Sequence, residues 1–346
     1  MNVLILNNMA PFVRGGAEEL ASHLCARLNA TSGVVAEVLR VPFSWEPFER
    51  LADEIFLNRT LHLSNADRVI GLKFPAYLIP HHTKVLWLLH QYRQVYDLRD
   101  RGESNIPESP AGRKICELVR RADAEVFSTS RSIFTLSRVT QERLKRYNGV
   151  EAAVLMQPMN NPELFVNCGD SGYLFAGGRI NPGKRQHLLV EAMAATKSGA
   201  KLIVAGPPDT PDDANRLQDL VRRLKLEDRV VLDLGFHSLA KIADYVNHAR
   251  ACAYLPVDED SVGYVTMEAA SASKPVITLA DSGGVLQLVV NGETGCLAGP
   301  DPRSIAEAID LLCSDGARCV RMGRTARHLW DSFEVTWPKT VEKLLS

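Results

Sequence analysis

The sequence predicts an α/β fold made of two successive doubly wound domains. Strand-like and helix-like segments alternate in two rounds along the 346 residues, and this alternation is typical of parallel sheets covered by helices. Each round opens with a short apolar strand, a glycine-containing loop and an amphipathic helix. A turn-rich stretch without periodicity separates the two rounds. A chain of this length can bury two cores of ordinary size.

The first round begins with an apolar strand at residues 2–6, followed by a loop and the pair Gly15 and Gly16. An amphipathic helix then extends to Leu28. A later apolar run ends in His90. Turn formers in residues 156–172 indicate a linker. We therefore expect three parts, which are an N-terminal domain over residues 1–168, a second domain over residues 169–333 and a closing helix over residues 334–346 that packs back on the first domain.

The second round has five strand-like runs with helical patterns between them. The strands are predicted at residues 173–176, 201–205, 230–234, 251–255 and 275–279, and the helices at 185–196, 212–224 and 239–248. Five strands with intervening helices suffice for one doubly wound domain. Such sheets bind ligands at the carboxyl ends of their strands, so we expect the two domains to face each other across a cleft that contains the active site.

Composition excludes several classes of protein. The chain is 46% hydrophobic and 23% charged with a net charge of −1, which is ordinary for a globular protein and argues against a nucleic-acid partner. Its seven cysteines are scattered and form no C-x-x-C pair, so neither a disulfide framework nor a zinc site is indicated. No apolar run approaches the ~20 residues of a membrane span. The expected location is the cytoplasm.

The segment 258–268 carries the most chemical information. It follows an apolar strand with the carboxylates of Asp258, Glu259 and Asp260, turns at Gly263, and enters a helix whose first turns include Glu268. The amide groups of a helix's first turn suit a diphosphate, and carboxylates on either side can accept hydrogen bonds from hydroxyls. This layout predicts a nucleotide sugar as ligand.

A second charged loop follows the first strand of the second round. Arg179 and Lys184 flank the turn formers Asn181, Pro182 and Gly183. A guanidinium and an ammonium on one loop can together neutralise a diphosphate leaving group.

These motifs together resemble the family 4 retaining glycosyltransferases of GT-B fold, and the resemblance spans nearly the whole chain. Four features carry it: the glycine-rich loop at residues 11–18, the strand that ends in His90, the Arg179 to Lys184 loop, and the acidic segment ending in Glu268. The family usually has glutamate at both ends of its acidic motif. This chain keeps the spacing but has Asp260 at the first position.

The resemblance implies roles for individual residues. Asp260 would hold sugar hydroxyls, Glu268 the ribose hydroxyls, and His90 would lie near the transferred sugar, so that the catalytic set is His90, Arg179, Lys184, Asp260 and Glu268. Gly235 to His237 would form the loop near the base. The complete set of expected donor-binding residues is Gly15, Gly16, Gly178, Gly206, Phe236, His237, Ser261, Val262, Gly263, Tyr264 and Thr266.

The implied reaction is sugar transfer with retention at the anomeric carbon. The departing phosphate oxygen takes the acceptor proton, so no protein nucleophile is required. We expect no cofactor and no essential metal, because Arg179 and Lys184 supply the positive charge. The expected donor is a nucleotide-diphosphate sugar, with mannose as the leading candidate. The expected acceptor is a glycan or a lipid-linked molecule in surface polysaccharide synthesis.

Other interpretations remain open. Neither glycine loop has the G-x-G-x-x-G spacing, which argues against a Rossmann dehydrogenase. A nucleotide-sugar 2-epimerase of related two-domain form and a non-catalytic partner in a glycan assembly complex are the nearer alternatives. Taken singly, the Gly15–Gly16 pair is a common turn, His90 is equally a core histidine, and the Asp258 to Asp260 run is equally a helix cap.

The segment 113–146 is rich in arginine and lysine within a nearly neutral chain. A basic face could attract an anionic membrane and place the protein peripherally at its inner face. Ordinary solvated helix faces are the simpler interpretation.

Overall fold

The computed structural model describes residues 1–11 and 15–346. These residues form two compact units. Unit 1 comprises Met1–Pro158 together with Val335–Ser346, and unit 2 comprises Met159–Glu334. Each unit contains one parallel six-stranded sheet with helices packed on it. The expected α/β fold class with two Rossmann-like domains is confirmed.

Unit 1 is built on a sheet of order β2-β1-β3-β4-β5-β6. Its strands are β1 (Asn2–Met9), β2 (Val35–Pro42), β3 (Arg68–Gly71), β4 (Lys84–Leu88), β5 (Ser132–Thr135) and β6 (Ala153–Val154). Its helices before the linker are α1 (Gly16–Asn29), α2 (Leu51–Thr60), α3 (Asp97–Asp100), α4 (Pro110–Thr129) and α5 (Arg138–Asn148). Strands β3 and β4 are buried along their whole length, as expected for central strands covered by helices on both faces.

Local sequence explains where the two helices behind this sheet begin and end. Helix α4 starts after Ser109, whose hydroxyl accepts a hydrogen bond from the Gly112 amide at 3.0 Å, and Pro110 occupies its first position. Helix α5 is capped in the same way by Ser137. It ends at Gly149, which adopts a left-handed conformation with φ of +66°.

Unit 2 is built on a sheet of order β12-β11-β10-β7-β8-β9. Its strands are β7 (Tyr173–Gly177), β8 (Lys201–Gly206), β9 (Val230–Leu234), β10 (Ala251–Ala253), β11 (Val276–Leu279) and β12 (Gly295–Ala298). Its helices are α6 (Gln186–Ala195), α7 (Pro211–Arg223), α8 (Leu239–His248), α9 (Tyr264–Ser271), α10 (Pro302–Ser314) and α11 (Gly316–Ser332). The five strands expected from sequence are present, and β12 adds a sixth.

The strand order of unit 2 identifies where a ligand can bind. The first strand of the unit, β7, lies between β8 on one side and β10 on the other, so the winding direction reverses between β7 and β10. In open parallel sheets the crevice outside the carboxyl ends of the strands at this reversal is the usual ligand site. The two charged loops singled out in the sequence follow β7 and β10.

The last helix of the chain, α12 (Trp337–Leu345), belongs to unit 1. The Trp337 ring meets the Trp87 ring edge-on, with the centroids 6.4 Å apart. Arg68 Nη1 donates a hydrogen bond to the Leu344 carbonyl at 3.0 Å. Trp337, Val341 and Leu344 are buried in the same apolar cluster as β1 and α1.

The division between the units falls at Pro158, earlier in the chain than the sequence placed it. Residues after Pro158 are held by unit 2 through Asn247 on α8. Its Oδ1 accepts from the Val166 amide at 2.9 Å, its Nδ2 donates to the Leu164 carbonyl at 2.8 Å, and its own carbonyl accepts from the Cys168 amide at 3.0 Å. A turn-rich composition marks an irregular segment, but hydrogen bonds to a distant helix decide to which unit that segment belongs.

The basic segment 113–146 forms most of α4 and α5, and several of its cations have partners in unit 1. Lys145 pairs with Glu151 at 2.7 Å, and Arg146 pairs with Asp100 at 3.4 Å. Arg120 Nη2 donates to the Val95 carbonyl at 3.0 Å. These contacts favour the interpretation of the segment as ordinary helix faces. None of the helices in the described part of the chain is long and apolar enough to cross a membrane.

Candidate functional site

The ends of β7 and β8 approach each other more closely than side chains would allow. Gly178 and Gly206 both have positive φ, +101° and +150°. A Cβ atom built on Gly206 would lie 2.0 Å from the Gly178 carbonyl oxygen. The loop that carries Arg179 and Lys184 is therefore seated directly on the end of β8 because both positions are glycine.

We expect Gly206→Ala to destabilise unit 2 by about 2 kcal/mol or more, because backbone atoms must move to admit the methyl group. Thermal unfolding monitored by circular dichroism measures the loss. Gly316→Ala is the matched control, since a Cβ atom at Gly316 meets nothing within 4 Å. Equal melting temperatures for the two variants would contradict the close approach.

Lys184 is held at the end of this loop by two groups that follow β10. Its Nζ donates to the Tyr254 hydroxyl at 2.8 Å and to the Glu259 carboxylate. Tyr254 in turn donates to Glu259 at 2.9 Å. The ammonium lies 5.1 Å from the centre of the Tyr254 ring. In these contacts Lys184 pairs with Glu259, which is the residue before Asp260, the carboxylate expected at the first position of the acidic motif.

Arg179 lies nearer the surface, with 45% of its side chain exposed. Its Nη1 is 3.2 and 3.3 Å from the two carboxylate oxygens of Asp209, which follows β8. Asn181 Nδ2 also donates to Asp209, at 2.9 Å. Asp209 therefore orients the guanidinium while leaving much of it open to solvent.

Tyr254 shows that these charges share one neighbourhood. Burial raises the pKa of its phenol well above the ordinary value, the Glu259 and Glu268 carboxylates raise that pKa further, and the Arg179 guanidinium opposes them. The carboxyl ends of β7 and β10 thus gather two cations and two carboxylates around one tyrosine.

Arg185 follows Lys184 directly in the chain. Its side chain is buried. It donates to the Leu255 carbonyl at 2.7 Å, to the Pro256 carbonyl at 2.6 Å, and to both carboxylate oxygens of Asp281 at 2.7 and 2.8 Å. The Arg185 guanidinium lowers the pKa of Asp281. Arg185 therefore fastens the loop after β7 to the ends of β10 and β11.

Gly263 starts the helix that follows the acidic segment. It has φ of +81°, and a Cβ atom there would lie 2.6 Å from Cε1 of Tyr254. Its amide donates to Ser261 Oγ at 3.2 Å, and α9 begins at the next residue, Tyr264. The side chains of Val262 and Thr266, on either side of this turn, are fully buried.

The segment that carries the carboxylates is also tied to the loop after β11. The Gly284 amide donates to the Glu259 carbonyl at 2.7 Å, and the Asp258 amide donates to the Asp281 carbonyl at 2.9 Å. Asp260 is half-buried between these ties. Two glycines, Gly283 and Gly284, permit this contact, because Cβ atoms there would meet backbone atoms at 2.4 and 2.6 Å.

Glu268 lies in the second turn of α9 and is only 9% exposed. Among the described residues its carboxylate has no hydrogen bond and no ion pair. Burial alone raises its pKa to about 7. A buried carboxyl group without partners is expensive for a fold to keep, which is typical of a group that binds a ligand.

The expected base-binding loop follows β9. Phe236 is 83% exposed at its tip. His237 Nε2 lies 2.8 Å from the Asp233 carbonyl oxygen, and the Asp233 carboxylate also accepts from Lys241 at 2.6 Å and Tyr245 at 2.7 Å. The contact with Asp233 fixes His237 against the end of β9, whereas the Phe236 ring is exposed to solvent and accessible to a ligand.

Two expected features lie in unit 1. His90 follows β4 and is half-buried, with Nδ1 2.6 Å from the Gln91 carbonyl oxygen. Gly15 precedes α1, where its amide donates to Glu18 Oε2 at 2.9 Å, and Gly16 is the first helical residue. Phe12, Val13 and Arg14 of the glycine-rich loop lie outside the described residues.

Comparison with known proteins agrees with this geometry. Residues 167–329 match the sequence model of the family described as glycosyl transferases group 1. Unit 2 thus contains a group 1 glycosyltransferase domain.

The chain also resembles curated relatives over most of its own length. It is 32% identical over 270 residues to a D-inositol 3-phosphate glycosyltransferase of Kineococcus radiotolerans, covering 70% of this chain and 61% of the relative. It is 29% identical over 266 residues to the enzyme of that name from Corynebacterium glutamicum, covering 71% and 62%. The chain thus spans about three-fifths of the length of these relatives.

Two solved structures share the fold over nearly the whole chain. A sucrose-phosphate synthase from Thermosynechococcus elongatus aligns with a TM-score of 0.76 at 17% identity, covering 99% of this chain and 96% of that one. HepE of Anabaena in complex with UDP-glucose aligns with a TM-score of 0.71 at 16% identity, covering 100% and 98%.

The described residues contain no cluster of three or more histidine, cysteine, aspartate or glutamate side chains placed to hold a metal ion. The expectation of metal-independent activity stays a prediction. Within unit 2 the structure brings together Arg179, Lys184 and Glu268. It adds three residues that were not among the expected catalytic or donor-binding residues, Tyr254, Glu259 and Arg185. A signal for Glu259 existed in the run of three acidic residues.

Proposed function

We propose that this chain transfers a sugar from a nucleoside-diphosphate sugar to a hydroxyl group of an acceptor, with retention at the anomeric carbon. The observation that carries the proposal is the group around Tyr254. Two cations, Arg179 and Lys184, and the buried carboxyl group of Glu268, which has no partner among the described residues, gather at the carboxyl ends of the two strands between which the winding of unit 2 reverses.

In the proposed reaction the diphosphate leaves with a developing negative charge. Arg179 and Lys184 neutralise that charge, and the amide groups of the first turn of α9 add their partial positive charge. Glu268 accepts hydrogen bonds from the ribose hydroxyls, and Asp260 and His90 hold hydroxyls of the sugar. A phosphate oxygen of the departing diphosphate takes the acceptor proton. Proximity and charge stabilisation then supply the catalysis without a covalent enzyme intermediate.

We propose a mannose donor and a glycan or lipid-linked acceptor as the first substrates to assay. The names of the curated relatives add a second acceptor class, a phosphorylated polyol such as D-inositol 3-phosphate. The fold is shared by enzymes with different substrates, so the choice of donor and acceptor depends on side-chain contacts with each substrate.

The experiment that tests the proposal is thermal stabilisation by UDP, GDP, ADP and TDP and by their common sugars, followed by product analysis with and without acceptor. A ligand bound only by the folded state raises the melting temperature with its affinity. We expect one nucleoside diphosphate to stabilise the wild type and Arg179→Ala to lose the effect. Arg222→Ala, which removes another exposed arginine paired with an acidic side chain, is the control.

Three results would contradict the transferase proposal. An epimerised sugar formed without acceptor would identify a 2-epimerase. Tight nucleotide binding without any turnover across the donors and acceptors would support a non-catalytic partner. No stabilisation by any of the nucleotides would remove the basis of the proposal.

Phe236 gives a separate prediction about the base. We propose that its exposed ring stacks on the nucleobase, a contact worth about 1–3 kcal/mol. Phe236→Ala is then expected to weaken nucleotide binding roughly tenfold without lowering the melting temperature. Calorimetric titration with the stabilising nucleoside diphosphate measures the affinity. Val231→Ala, which truncates another exposed apolar side chain near this edge of unit 2, is the control and should bind as wild type.

A further inference from the structure

A chain of hydrogen bonds runs through unit 1 from a buried carboxylate to the residue beside His90. Tyr96 donates to Asp123 Oδ2 at 2.7 Å and accepts from Asn148 Nδ2 at 3.1 Å. Asn148 Oδ1 accepts from the side-chain amide of Gln91. The Gln91 carbonyl is in turn 2.6 Å from His90 Nδ1. The proposed reaction assigns no role to Tyr96, Asn148 or Asp123.

The chain has a defined direction. The Tyr96 hydroxyl donates a hydrogen bond to Asp123. The oxygen of the same hydroxyl then accepts a hydrogen bond from the side-chain amide of Asn148. That orientation turns Asn148 Oδ1 toward Gln91, whose side chain is buried. Gln91 is thereby anchored, and its carbonyl accepts from Nδ1 of His90. The neutral His90 ring then carries its proton on Nδ1, and Nε2 is its acceptor nitrogen.

Tyr77 provides an internal comparison. It donates to Asp123 Oδ1 at 2.8 Å, so the two tyrosines bind the two oxygens of one carboxylate. Tyr77 is fully buried and Tyr96 is 1% exposed. Burial raises the pKa of Asp123 to about 7, and the two phenol donors oppose this rise. The two tyrosines are therefore alike in burial and partner, but the hydrogen bonds of the Tyr77 hydroxyl do not lead toward His90 within the described residues.

We infer that Tyr96, Asn148 and Gln91 are positioning residues that fix the orientation and tautomer of His90. The inference rests on the proposed function, in which His90 presents Nε2 as a hydrogen-bond acceptor to a hydroxyl of the substrate. The hydrogen bond between Nδ1 and the Gln91 carbonyl oxygen favours one ring orientation, and a misplaced acceptor loses most of its value in the transition state.

The decisive comparison is Tyr96→Phe against Tyr77→Phe. Each substitution removes one buried hydroxyl from Asp123, and Tyr96→Phe also leaves the Asn148 amide without its acceptor. We therefore expect both variants to melt at a lower temperature, Tyr96→Phe somewhat more so. Only Tyr96→Phe breaks the chain to Gln91. We expect it to lower kcat about tenfold with KM for the donor changed less than twofold, whereas Tyr77→Phe keeps the wild-type kcat. Equal kcat values for the two variants would overturn the inference.

A second measurement reports on His90 without requiring turnover. In protein labelled with 15N in its nine histidines, the His90 ring signals are identified by their loss in His90→Gln. We expect the wild type and Tyr77→Phe to show the single Nδ1-protonated form. Tyr96→Phe should shift toward a mixture of tautomers. An unchanged His90 spectrum in Tyr96→Phe would refute positioning.

The two measurements separate this inference from the proposed function. Absence of sugar transfer by the wild type would end the transferase proposal, and the ring spectra would still decide whether Tyr96 orients His90. Transfer by the wild type, together with identical behaviour of the two tyrosine variants, would end the positioning inference alone.

Discussion

Replacement of Lys184 by alanine is expected to lower kcat/KM by roughly two to three orders of magnitude, the loss seen when a preorganised charge at a developing anion is removed. The ammonium lies at the end of the loop after β7, held between Tyr254 and Glu259. In the proposed reaction the diphosphate of the donor takes over the interaction that Glu259 makes with Lys184. The benefit grows as the bond to the sugar breaks, so kcat should fall more than donor affinity.

The stability of Lys184→Ala should change little by comparison. Tyr254 keeps its hydrogen bond to Glu259, and we expect a loss of about 1 kcal/mol from the unpaired carboxylate. Lys201→Ala, which removes an exposed lysine at the opposite end of β8, is the charge-matched control for initial-rate assays with the stabilising donor. Retention of more than a tenth of wild-type activity in Lys184→Ala would refute the assigned role.

Replacement of Glu268 by glutamine is expected to raise the free energy of unfolding at pH 8 and to weaken donor binding. Burial raises the pKa of Glu268 to about 7 from its ordinary 4.5. Between these values the folded state holds a proton that the unfolded state has lost, so the carboxyl group destabilises the protein progressively as pH rises toward 7, and fully above 7. Glutamine carries no charge to bury. We therefore expect a gain of roughly 1–3 kcal/mol at pH 8 and almost none at pH 4.

The same substitution should weaken donor binding at least tenfold, because a carboxylate accepts from two hydroxyls more strongly than an amide does. Unfolding midpoints in urea at pH 4 and pH 8 measure the stability, and titration with the nucleoside diphosphate measures the binding. Glu227→Gln, at an exposed loop position, controls for the loss of one charge. Asp123, whose pKa is also near 7, is present in both proteins and cancels in the comparison. A stability difference independent of pH would contradict the prediction.

Local pattern was sufficient for most of the architecture of unit 2. Strands β7 to β11 are short apolar runs bounded by turn formers, and the loop after β7 was readable from Gly178, Arg179 and Lys184 in sequence order. Strand β12 was not among the five strands expected from sequence. It begins at Gly295, where a Cβ atom would lie 2.1 Å from the Val276 carbonyl oxygen, so glycine at this position permits β11 and β12 to pair.

Hydrogen bonds and ion pairs between side chains far apart in the chain could not be predicted from the sequence. Arg185 is buried only because carbonyl groups after β10 and the carboxylate of Asp281 surround it, and those groups lie 70 to 96 residues away. In the same way Glu259 engages Lys184 across 75 residues. The sequence places acidic residues after β10, but the twist and register of the sheet decide which of them meets the ammonium.

The membership of α12 in unit 1 has a consequence for synthesis on the ribosome. Trp337, Val341 and Leu344 complete an apolar cluster whose other members come from the first 155 residues. Unit 2 is a single uninterrupted stretch and can finish folding as soon as it has emerged, in keeping with the tendency of domains to fold as units. Unit 1 begins first yet must wait until residues 335–346 leave the exit tunnel. During that interval its Trp87 face stays uncovered, and a stalled ribosome would present it to chaperones.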